Sequence, residues 1–129
     1  MPIANHINGL GGILIWTGDY PALVEWYRRV FGFETIEELD HPKDTGTLFK
    51  VGDNYLWIGE HSEVSGVNKD RYRHMINLEV ESVSGVSAEL KEKGVVFVAD
   101  PFPSPVDPSL YFATFEDPEG NLFQLVGEK

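Results

Sequence analysis

The chain has 129 residues, enough for one domain with a real core, and 42% of them are hydrophobic. Its 10 basic and 21 acidic residues give a formal charge of −11, which repels phosphate backbones and argues against nucleic acid as a partner. There is no cysteine, so disulfides, thiolate metal sites and cysteine nucleophiles are excluded.

No apolar run approaches the roughly 18 residues of a membrane span, so no membrane association is expected. The opening MPIANHINGL has neither the basic region nor the apolar block of a signal peptide, and a cytoplasmic location is expected.

The first segment, GGILIWTGD (Gly11 to Asp19), reads as a strand ending in a turn. DYPALVEWYRRVFG follows as a helix. Asp19 suits the N-cap, Pro21 the first turn, Arg28 and Arg29 the last turn, and Gly32 the position after the end. Its apolar stripe is Leu23, Tyr27, Val30 and Phe31. Extended segments are expected at Phe33 to Leu39, Thr47 to Val51 and Tyr55 to Ile58, the last two joined at Gly52-Asp53-Asn54. A polar stretch, Glu60 to Arg73, reads as a linker.

The second half repeats this order. HMINLEV (His74 to Val80) is a strand, and ESVSGVSAELKEKG a helix capped by Ser82 and stopped at Gly94, with Val83, Val86 and Leu90 on its apolar side. VVFVAD, a proline-rich loop PFPSPVDP, the strand SLYFATFE, the turn DPEGN and the strand LFQLV complete it. The chain is thus one βαβββ unit used twice, with module one at about 7–59, the linker at 60–73 and module two at about 74–127 of a single domain, 1–129. The fold class is α+β. One module alone cannot cover both its sheet and its helix, so the two are expected to form a curved mixed β-sheet around a concave cleft, helices outside.

GDYPALVEWYRRVFGFE and FEDPEGNLFQLV, in this order, resemble the vicinal oxygen chelate superfamily: glyoxalase I, the extradiol dioxygenases, and the fosfomycin and bleomycin resistance proteins. The resemblance spans about Ile7 to Gly127. It implies inward-facing ligand positions on four strands, usually histidine or glutamate in metal-using members. Carried onto this chain, these fall on Gly12, Trp57, Met75 and Gln124. None is ionisable, and one neutral glutamine oxygen does not hold a divalent ion. No metal and no other cofactor is expected. His74, one residue from such a position, points the other way in a strand.

Alternation places Leu14, Trp16, Tyr55, Trp57, Met75, Asn77, Leu122 and Gln124 on the inward face. On SLYFATFE, Tyr111 and Phe115 are favoured over Phe112 and Thr114 as the inward pair. Aromatic rings around two amides make a small-molecule pocket, and aromatic faces suit a planar or cationic guest. His61 follows the Trp57 strand and lies either at the mouth of this concavity or in a plain polar linker.

These residues lead to a metal-independent bleomycin-resistance-like protein that binds a small aromatic or cationic molecule through Trp16, Tyr55, Trp57, Met75, Asn77, Tyr111, Gln124 and His61. The resemblance implies a homodimer. The rival is a metal-dependent lyase, isomerase or dioxygenase with a non-standard site using His61 or His74. A third reading is a regulatory module with a vestigial cleft.

Overall fold

The computed structural model describes residues 2–129. The chain folds as two compact units, one ending at residue 65 and one running from 66 to 129, and each is a βαβββ module. In the first, a short 3-10 turn at Ile3–His6 leads to β1 (Ile13–Thr17), α1 (Tyr20–Phe31), β2 (Glu34–His41), β3 (Asp44–Val51) and β4 (Asn54–Glu60). Its sheet has the order β1-β4-β3-β2, with β1 parallel to β4 and the other pairs antiparallel. The second holds β5 (Ile76–Ser82), α2 (Val83–Glu92), β6 (Val96–Pro103), β7 (Tyr111–Glu116) and β8 (Leu122–Glu128), in the equivalent order β5-β8-β7-β6. This is the expected α+β tandem-module class.

The ends of α1 follow from its sequence. The Asp19 carboxylate accepts from the Ala22 amide at 3.4 Å, and the chain leaves the helix at Gly32 with φ +65°, a conformation costly for any residue with a Cβ. Leu23, Val24, Tyr27 and Val30 are buried against the sheet, so Val24 takes the inner place expected for Phe31, which is half-buried. Beneath them lie Ile15, Phe49, Leu56 and Ile58. Burying side chains of this size contributes about 1.5–3 kcal/mol each relative to exposure. Tyr20 Oη and Thr47 Oγ1 are 2.6 Å apart, so the fully buried Thr47 hydroxyl is not left unpaired.

In the second module Ser82 caps α2 by accepting from the Gly85 amide at 3.0 Å. Val83, Ser87 and Leu90 are its buried residues, and Ser87 takes the inner place expected for Val86. Two fully buried rings, Phe115 and Phe123, stack at 5.2 Å with 5° between planes to form the centre of this core. The strand expected to stop at Asp100 runs on through Pro101 and Pro103. That is possible because β6 is an edge strand with bulges, where a missing amide donor costs no ladder bond.

The polar stretch 60–73 is not free-standing. His61 donates its amide to the Thr17 carbonyl in the first module, while Asn68 donates to Glu119 and Arg71 pairs with Glu116 in the second. Among the described residues no helix is long and apolar enough to cross a membrane.

Candidate functional site

Each sheet has one face under its helix and one open face, and the register assigns side chains to them. In module one, Leu14 pairs with Trp57 and Trp57 with Leu48, while Trp16 pairs with Gly59 and Gly59 with Gly46. Trp16, Tyr55 and Trp57 therefore share the open face, as alternation predicts. The Trp57 indole lies flat over the two buried glycines. A Cβ on Gly46 would strike its six-membered ring, and a Cβ on Gly59 would strike its Nε1. Trp16 crowds the same spot, its ring edge-on to Trp57 at 6.2 Å and 66°. Trp57 Nε1 is buried and has no acceptor among the described residues. Trp16 and Tyr55 remain 37% and 41% exposed, so this aromatic surface is open at both ends and packed at its middle.

His61 borders that surface. Its ring stands edge-on to Trp16 at 5.6 Å, and its Nδ1 accepts from the Glu63 amide at 3.1 Å. An amide can only donate, so neutral His61 carries its proton on Nε2. The ring also lines a polar cavity of about 470 Å³ shared with Lys43, Asp44, Glu60, Ser62 and the Gly18 backbone. Both charge signs meet there beside an aromatic wall. His61 thus borders both the aromatic surface and the polar cavity.

In module two, Asn77 pairs with Gln124 and Gln124 with Thr114. The open face thus carries Asn77, Gln124, Thr114 and Phe112. The expected pair, Tyr111 and Phe115, belongs to the opposite side: Phe115 is fully buried on Phe123, and Tyr111 is one residue from Phe112 and out of phase with Gln124. Gln124 Nε2 donates to Asn77 Oδ1 at 3.0 Å. Met75 lies just before β5 and is exposed, as is His74.

The residues at the superfamily's ligand positions do not fit a metal. Gly12 has φ +148°, and a Cβ there would meet the Tyr55 carbonyl oxygen at 2.8 Å, so its backbone resists any side chain. Trp57 offers only a donor, Met75 a soft thioether, and Gln124 a single neutral amide oxygen. Among the described residues neither module gathers three His, Asp or Glu side chains into a metal-binding group.

Two features escaped the sequence reading. Glycines 46 and 59 form the floor for Trp57; a glycine two residues after a strand tryptophan is a legible sign of close approach. Phe112 and Phe102 form an aromatic pair at 5.9 Å, hidden by bulges in β6 that no local pattern marks.

The chain is similar to several solved structures. SMU.1112c shares 25% identity with a TM-score of 0.77, covering 93% of this chain and 98% of that one. A glyoxalase family protein from Enterococcus faecalis shares 21% with a TM-score of 0.76, covering 94% and 98%. The fosfomycin resistance protein FosX from Listeria monocytogenes, crystallised with Mn(II) and sulfate, shares 19% with a TM-score of 0.71, covering 95% and 94%. No curated protein gives a significant match. Residues 4–125 match the profile of the Glyoxalase/Bleomycin resistance protein/Dioxygenase superfamily, and the chain belongs to that superfamily.

Proposed function

We propose that the protein binds a small organic molecule carrying an aromatic ring and a cationic arm on the open face of its first module, without a metal ion. The observation that carries this reading is the pinned Trp57 indole flanked by the half-open rings of Trp16 and Tyr55. A planar guest gains area on these faces with little loss of side-chain freedom. A cation gains from the ring quadrupoles, and the charge of −11 steers it inward. The polar cavity receives the arm between the carboxylates of Asp44 and Glu60. The rival metal-dependent enzyme using His61 would have to move the Nε2 proton and break the Glu63 bond. Replacing Trp57 by alanine weakens binding of a planar cation about tenfold while circular dichroism stays native. Unchanged affinity would refute the assignment.

A homodimer is part of this proposal. Ile3, Ile7 and Leu10 are 73%, 61% and 88% exposed, an apolar surface that a second copy would cover. Sedimentation at micromolar concentration tests it, and a strictly monomeric species would remove it.

A further inference from the structure

Two turns of the first module carry the same device. In HPKDT, the His41 Nδ1 accepts from the Lys43 amide at 3.0 Å, and the His41 carbonyl accepts from Thr45 Oγ1 at 2.8 Å. In HSEV, the His61 Nδ1 accepts from the Glu63 amide at 3.1 Å, and the His61 carbonyl accepts from the Val64 amide at 3.1 Å. Each histidine stands where an aspartate or asparagine would bond the backbone two residues on. The first turn is tied to the sheet by the pairing of His41 with Asp44, the second by the His61 amide on the Thr17 carbonyl. Residues of both turns line the polar cavity of about 470 Å³, an ordinary size for a small-molecule site. Its walls are held by local bonds before a guest arrives, which lowers the ordering cost of binding.

The charges of this cavity are unspent. Lys43, Asp44 and Glu60 all line it, yet among the described residues none of the three enters an ion pair. A guest that is only cationic matches the carboxylates but adds a like charge to the cavity of Lys43. A guest that is only anionic matches Lys43 against two carboxylates. A zwitterion satisfies both signs, and avoiding like-charge juxtaposition is what sets specificity in such sites. His61 joins the cavity to the aromatic surface, since it lines the one and stands edge-on to Trp16 at 5.6 Å in the other, so a short arm suffices. We infer that the cavity takes the head group of an aromatic α-amino acid, its ammonium toward Asp44 and Glu60, its carboxylate toward Lys43 and its ring on Trp16. The inference rests on the aromatic face proposed above and specifies the cationic arm as one that also carries a carboxylate.

The test is a nuclear magnetic resonance titration of the full chain, in low salt, with phenylalanine, with phenethylamine, which lacks the carboxylate, and with hydrocinnamate, which lacks the ammonium. Phenylalanine should shift the backbone amides of Lys43, Asp44 and Glu60 and the Trp16 indole saturably. It should bind about fivefold more tightly than either analogue, as exposed ion pairs allow, and the advantage should shrink as salt is added. Lys43→Gln should bring phenylalanine down to the level of phenethylamine, and Glu60→Gln should bring it toward hydrocinnamate. Both side chains belong to exposed residues, so neither change removes a core contact. Phenethylamine binding as tightly as phenylalanine, or an advantage that survives Lys43→Gln, would overturn the inference and leave the cationic aromatic reading standing. Shifts at neither the Trp16 indole nor the cavity with any of the three probes would overturn both.

Discussion

The indole of Trp57 lies over the backbone of Gly59, two residues further along the same strand, so closely that a methyl group there would collide with Nε1. Neither Gly59 nor its cross-strand partner Gly46 has a positive φ. Alanine is therefore conformationally acceptable at both, and any penalty reports the collision. Gly59→Ala should destabilise the protein by about 1–3 kcal/mol and move the tryptophan emission as the ring lifts. A neutral or stabilising effect in chemical denaturation would mean the ring is not seated there.

Trp57→Ala separates packing from binding. The side chain is half-buried, so its loss should cost about 2 kcal/mol, short of a fully buried tryptophan. Calorimetry should then show a lower Tm with a single transition.

Asp117 organises the turn that closes module two. It is 2% exposed and accepts from the Glu119 and Asn121 amides at 2.9 Å each and from Asn121 Nδ2 at 2.8 Å. Removing an acceptor that serves three part-buried donors is expensive, and Asp117→Ala should cost about 3 kcal/mol in urea unfolding.

Tyr20→Phe deletes one hydroxyl and little else. The Thr47 hydroxyl then keeps the longer contact from Arg28 at 3.4 Å, so a loss of about 1 kcal/mol is expected by the same method.

The Asp107 carboxyl is held below its ordinary value by hydrogen bonds from the Ser109 side chain and then its amide. Ser109→Ala removes the first of these, so the Asp107 titration observed by nuclear magnetic resonance should move upward, toward an ordinary aspartate.

Much of the architecture was legible because it rests on local rules. Asp19, Gly32 and Ser82 mark helix ends by capping chemistry alone, and the repeat located all eight strands. Alternation also put Trp16, Tyr55 and Trp57 on one face. The pair Tyr111 and Phe115 failed because alternation fixes a period and not its phase. Phase came from the core: Phe115 is needed on Phe123, and that demand is tertiary. Gly59 hinted at the seating of Trp57, but the contributions of Gly46 and Trp16 to it were out of reach, since the neighbouring strands bring them in.

The proposed aromatic face binds its guest without metal. The direct measurement is tryptophan fluorescence of chelator-treated protein titrated with 1-methylquinolinium, a planar cation, before and after restoring Mn²⁺ or Zn²⁺. Saturable quenching that is lost in Trp57→Ala and indifferent to the added metal is the predicted result. Binding that occurs only once the metal is restored would contradict the account.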